Sequence, residues 1–243
     1  MKALLYALLL GLVSCQSKTA QNYTWEIQEL SGEQCPDENC ARVNLTFPIF
    51  SGNDGGDSIN LRIEEKLHTY FFDDSADLVL EDKIEVFIKD FSEFKAEFPE
   101  ASGDWELEVK SDITYQSDSL ISVFFEYYVF TGGAHPNSSV SFLNFDALTG
   151  EEVGMEDLIL DDKELMGMAE QSFREFHQIP QTQELNESNQ FFIPESGFFL
   201  PQAMGFKDGK FWLIYSPYEI GPYAMGYTEL SFELEKLKGI VRQ

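Results

Sequence analysis

The residue best placed to do chemistry is His135, held in Thr131-Gly132-Gly133-Ala134-His135-Pro136-Asn137. Aromatic and β-branched residues from Glu126 to Phe130 favour a buried strand ahead of it. Gly132 and Gly133 give the chain left-handed freedom, and Pro136 holds His135 extended. An imidazole on so stiff a turn can be a general base, a metal ligand, a ligand contact or a hydrogen-bonded brace, and the residues alone leave the four open. A second stiff aromatic stretch runs Ser216-Pro217-Tyr218-Glu219-Ile220-Gly221-Pro222-Tyr223-Ala224-Met225-Gly226. Tyrosine offers large contact area at small entropic cost. The candidate ligand-binding residues are therefore Gly132, Gly133, His135, Pro136, Asn137, Tyr218, Glu219 and Tyr223. The competing structural reading has Gly132, Gly133, Pro136, Pro217 and Pro222 shaping corners and the two tyrosines plugging the core.

Catalysis needs a positioned set of groups, and the familiar sets are missing. There is no Gly-x-Ser-x-Gly, no His-Glu-x-x-His and no phosphate loop with lysine. The three histidines fall on separate elements and no pair has metal-ligand spacing. His68 reads as a helix-surface residue, and His177 as the end of a helix where a cation meets the negative end of the dipole. No catalytic residue, metal or cofactor is expected. The alternative is a glycan hydrolase using an acidic pair near the His135 loop, with Glu126 and Glu219 the nearest acids to aromatics. A purely structural envelope protein is the remaining reading.

The elements that must position these loops follow from periodicity. Tyr23–Leu30, with apolar Tyr23, Trp25 and Ile27 alternating, and Ala41–Phe50 read as a hairpin around Cys35-Pro-Asp-Glu-Asn-Cys40. That spacing is not a zinc or redox pair, and a local disulfide is expected. Ser51–Gly56 reads as a loop, then Asp57 or Ser58 caps a helix with a stripe of Ile59, Ile63, Leu67 and Tyr70. A longer helix after Asp73-Asp74-Ser75 carries Leu80, Ile84, Phe87, Ile88, Phe91, Phe94 and Phe98, and Pro99 ends it. Trp105, Leu107, Val109, Ile113 and Tyr115 share one face of a half-buried antiparallel strand. Leu120–Phe130, apolar on both faces, is a central strand, and Val140–Phe145 returns beside it. Asp146 and Gly150 form the next turn.

Beyond Met155, Asp161 and Glu164 make a capping box ahead of a helix striped by Leu165, Met168, Ala169, Ser172 and Phe176. Phe198–Leu200, Ala203–Phe206 and Phe211–Tyr215 read as strands, the last two joined by Lys207-Asp208-Gly209-Lys210. A final strand carries Leu230, Phe232 and Leu234. The fold class expected is α+β, with antiparallel sheets and flanking helices.

The chain opens with Met1-Lys2 and an apolar run from Ala3 to Val13, too short to span a bilayer, so residues 1–14 read as an export signal. Ser14-Cys15 at its end resembles the bacterial lipobox, which implies a lipid on Cys15, a tether over residues 15–22, and a place in the cell envelope, on the periplasmic face or the outer membrane. The lipid is then the only membrane contact. With 43 acids against 16 bases the net charge is −27. That excludes nucleic acid as a partner, which needs clustered Lys and Arg, and it suits a basic protein partner. Asp-Ser-apolar triplets at Asp57, Asp74 and Asp118 also resemble an O-glycosylation pattern.

The order hairpin, two helices, Gly132–Asn137, Asp146–Gly150, helix, Pro217–Gly226 resembles a bacterial envelope family of two joined modules, covering nearly all of Tyr23 to Leu237. The first, 23–150, is similar to the non-catalytic N-terminal region of certain peptidoglycan deacetylases. With 151–243, it is similar to the extracytoplasmic part of an anti-sigma factor that senses lysozyme. The metal-binding Asp and His motifs of a deacetylase catalytic domain are missing. The resemblance implies a binding module for lysozyme or peptidoglycan.

Overall fold

The structure, a computed structural model, describes residues 23–36, 38–51, 54–72, 78–186 and 190–243. The expected signal, Cys15, the tether and the Asp73-Asp74-Ser75 helix start lie outside the described residues. Strands β1 (Thr24–Gln34) and β2 (Ala41–Ser51) form the expected hairpin, and a Cys35–Cys40 disulfide closes its loop. Asp104 accepts from the Cys40 amide at 3.0 Å and from Arg42, which also reaches Glu33. The Cys40 amide first, then Arg42, holds the Asp104 carboxyl below its ordinary range.

Helices α1 (Asp54–His68) and α2 (Leu80–Glu97) then carry the chain across one face of the sheet. That crossover has a topological consequence. Strand β3 (Trp105–Gln116) enters beside β2 and parallel to it, with Ala41 opposite Trp105, where an antiparallel strand was expected. A parallel pair needs a connection of this length. Strands β4 (Leu120–Phe130) and β5 (Asn137–Asp146) complete the order β1-β2-β3-β4-β5, both added antiparallel. Val43, Leu45, Leu107, Val109 and Phe125 face Ile59, Ile63, Leu67, Phe87 and Phe91 in the first core. Each such side chain contributes about 1.5–3 kcal/mol on burial.

Three readings of this half are corrected. Helix α1 begins at Asp54, inside the expected loop, with Gly55 and Gly56 buried in its first turn; Gly150 packs directly on the Gly55 backbone, so a side chain at Gly150 would collide with it. Trp25 and Ile27 lie on an edge strand and are 41% and 47% exposed, while Leu30 packs against the core. A bulge between Ile113 and Tyr115 rotates Tyr115 off the helix-facing stripe. Tyr115 instead stacks on Phe206, with ring centres 4.8 Å apart.

Beyond a single turn, α3 (Met155–Leu158), helix α4 (Asp162–Phe176) starts where the capping box placed it, the Asp161 carboxylate accepting from the Glu164 amide at 3.0 Å. Its buried stripe is Leu165, Ala169 and Phe173 rather than one that includes Phe176, which is exposed. Strands β6 (Ala203–Lys207), β7 (Lys210–Tyr215) and β8 (Thr228–Glu233) form an antiparallel sheet in that order. Phe198–Leu200 is not a strand; the Phe199 carbonyl is taken by the Tyr215 hydroxyl at 2.6 Å. The architecture is α+β, with two mostly antiparallel sheets.

The two sheets are joined through a buried polar link. Ser122 donates to the Asn144 side-chain carbonyl and accepts from the Phe206 amide, while the Asn144 amide donates to the Met204 carbonyl at 3.0 Å. Ser122 is fully buried and Asn144 is 3% exposed. Around the link, Phe124, Phe142, Ala203 and Ile214 form a small shared core.

Candidate binding site

The β7–β8 loop begins with a turn from Ser216 to Glu219, the Glu219 amide donating to the Ser216 carbonyl at 3.0 Å. Pro217 stands second, and Tyr218 third with φ at +71°. That is the type II form, whose third position normally falls to glycine. A tyrosine there costs about 1–2 kcal/mol of backbone strain. The strain is held by Glu219: one carboxylate oxygen accepts from the Gln202 amide at 2.7 Å, the other from Ser216 at 2.9 Å. Burial raises the Glu219 pKa, against the pull of those two amides. Pro222 then opens a short 3₁₀ turn, Tyr223–Met225.

The β4–β5 loop spans residues 131–136, with Gly132 and Gly133 at φ +95° and +104°. Asn137 already belongs to β5, opposite Val129. The turn aims His135 at the other loop. Its Nδ1 lies 2.8 Å from the Pro136 carbonyl and its Nε2 lies 3.0 Å from the Tyr218 hydroxyl. Since a carbonyl only accepts, Nδ1 carries the proton, and in the neutral ring Nε2 accepts from Tyr218. The imidazole stacks on Tyr223, with centres 3.8 Å apart and planes 13° from parallel. The Val140 amide, in β5, donates to the Ser216 hydroxyl at 3.2 Å, which ties that strand to the β7–β8 loop.

The structure thus brings His135, Tyr218 and Tyr223 together. His135 is exposed, and Tyr218 presents 53% of its surface to solvent. Each Glu219 carboxylate oxygen thus accepts from one backbone amide, Gln202 or Ser216. Glu126 lines the cleft between the two sheets. His177 bonds Thr228 through Nε2 at 2.9 Å and packs among Phe173, Phe176 and Phe191. Burial lowers its pKa, so it works as a neutral partner of a buried hydroxyl rather than as a cation on the helix dipole. Among the described residues, Glu33, Cys35 and Cys40 have metal-ligand proximity, but both sulfurs are spent in the disulfide. No helix among the described residues is long and apolar enough to cross a membrane.

Residues 34–138 match the family described as Deacetylase PdaC, and residues 156–235 match a protein of unknown function family, DUF3298. The chain joins a PdaC domain to a DUF3298 domain. A crystallised DUF3298 family protein from Pseudomonas aeruginosa PAO1 superposes with a TM-score of 0.63 at 20% identity, over 90% of this chain and 95% of that one. A DUF3298 member from Bacteroides fragilis NCTC 9343 gives 0.70 at 18% identity, over 94% and 96%. At such identities the likeness establishes the fold alone. No curated protein matches the sequence. His135 belongs to the PdaC domain and Tyr218 with Tyr223 to the DUF3298 domain, so the aromatic cluster is built across the two. The missed element is the junction: Ser122 and Asn144 look like ordinary strand residues, and only their burial in facing sheets gives them a role.

Proposed function

We propose that the protein is an exported, lipid-anchored envelope component that acts by binding, not catalysis, and that its contact surface is His135 with Tyr218 and Tyr223. The observation that carries this reading is the exposed aromatic cluster formed by one loop from each domain, with Tyr218 held in a backbone conformation that tyrosine resists. Strain persists where surrounding structure over-determines it, and functional surfaces are where it collects. A lipid on Cys15 would hold the module at the membrane while its acidic body faces outward. The partner proposed is a basic protein of the lysozyme kind, supported by the net charge of −27 and by the resemblance of the joined modules to a lysozyme sensor. A second reading, peptidoglycan stacked on the open ring of Tyr218, draws on that ring's exposure.

The test is calorimetric titration of lysozyme into the protein at about 0.15 M and about 0.5 M salt. Micromolar or tighter binding that survives the higher salt supports a shaped site. Binding that disappears with salt reduces the interaction to charge, and absence of heat at both discards lysozyme. Peptidoglycan fragments in the same cell test the second reading.

A further inference from the structure

The two sheets do not close on each other along their whole length. Between them lies a cleft of about 460 Å³, within the range of about 300–1,000 Å³ common to ligand pockets. Its lining includes the aromatic residues Phe124, Trp212 and Tyr227 and the carboxylates of Glu108, Glu126 and Glu229. The lining as a whole holds four carboxylates, counting Asp208, against two ammonium groups, Lys110 and Lys207. Both ammonium groups are engaged. Lys110 pairs with Glu108 at 2.7 Å, and Lys207 lies over the Phe124 ring, 4.2 Å from its centre. The cleft therefore already holds one cation on an aromatic face, at cation–π distance. Glu126 and Glu229 are exposed and have no hydrogen-bond or ion-pair partner among the described residues. Their charges converge on Tyr227, whose hydroxyl is pushed up by burial first and by both carboxylates in addition.

We infer that this cleft takes a cationic side chain, an arginine or lysine of a protein partner, between the Trp212 and Tyr227 rings and the carboxylates of Glu126 and Glu229. The inference rests on the reading of the protein as a binder of a basic partner, and it adds where that partner's charge is received. Tyr223 of the His135 cluster lies near enough to bear electrostatically on Tyr128 and Tyr227, which line the cleft. A neutral glycan would satisfy the rings but bring no positive charge to Glu229, or to Glu126, which feels only the Lys110 ammonium already paired with Glu108. A guanidinium satisfies both.

The probe is acetyl-arginine-amide, with the uncharged isostere acetyl-citrulline-amide as control. The reporter is the indole N–H of Trp212, which donates to the Lys207 carbonyl at 2.9 Å inside the cleft. In ¹⁵N-labelled protein, with the peak assigned by Trp212→Phe, the arginine probe should shift this resonance saturably and the citrulline probe should not. The double variant E126Q/E229Q, altered only at exposed side chains, should weaken the arginine probe roughly fivefold. Equal shifts from both probes, no shift from arginine, or an unchanged affinity in the double variant would each overturn the assignment. Failure of lysozyme to bind would leave this result standing, so the two readings fail separately.

Discussion

Replacing Asn144 by alanine tests whether the buried link sets the two sheets against each other. The variant removes the bond to the Met204 carbonyl and strands the hydroxyl hydrogen of Ser122, whose acceptor is the Asn144 side chain. Each of these two polar groups orphaned at this depth costs about 1–3 kcal/mol, so the loss is about 2–6 kcal/mol. With a urea dependence of about 2–3 kcal/mol per molar for a chain of this size, the midpoint should fall by roughly 1–3 M. Ser122→Ala in addition removes the stranded hydroxyl but also the acceptor for the Phe206 amide. The double variant should therefore cost less than the sum of the two singles, by about 1 kcal/mol. Equilibrium urea unfolding followed by tryptophan fluorescence measures all three. A loss below about 0.5 kcal/mol for Asn144→Ala, or strictly additive singles, would refute the idea that this link carries the junction.

Other expectations follow from single residues. Tyr218→Gly relieves the left-handed strain while losing a solvent-exposed ring, so its unfolding midpoint should stay within about 1 kcal/mol of wild type even as partner binding weakens. Gly150→Ala should destabilise by at least about 2 kcal/mol in the same urea assay, because φ is +73° and an added Cβ would collide with the Gly55 carbonyl oxygen. His177, whose pKa is lowered by burial, favours the neutral ring in the folded state. Stability must then be fullest above the ordinary imidazole value of about 6.5 and fall as pH drops below it, toward the folded pKa. Thermal midpoints at pH 7.5 and 5.5 should show a larger acid-side loss for wild type than for His177→Asn.

Much of this fold was legible because local chemistry and tertiary packing agreed. Asp161 with Glu164, Ile59 with Ile63 and Leu67, and the Cys35–Cys40 loop each specify their element within a few residues. What escaped depended on contacts distant in sequence. The parallel pairing of β3 with β2 follows from where α1 and α2 return the chain, which no strand pattern encodes. Tyr115 left its stripe because a bulge shifts register by one residue, and one residue is enough to change faces. Phe173 and Phe176 are both apolar on α4, and only the position of the second sheet decides that Phe173 points inward. At the site, Gly132-Gly133 and Pro217 announced two stiff loops, but their meeting depends on Ser122 and Asn144, which no spacing singles out. Glu219 reads as a ligand candidate because it sits among tyrosines, and no spacing shows the two backbone amides its carboxylate accepts from.

The central claim is that one binding surface is shared between His135 of the first domain and Tyr218 of the second. A double-mutant cycle on lysozyme affinity, using His135→Ala, Tyr218→Ala and the pair at about 0.5 M salt, tests it most directly. Each single should weaken binding by about tenfold or more, and the pair by less than the product, with a coupling of about 1 kcal/mol or more across their 3.0 Å contact. Unchanged affinity in both singles would contradict the claim, and so would fully independent losses.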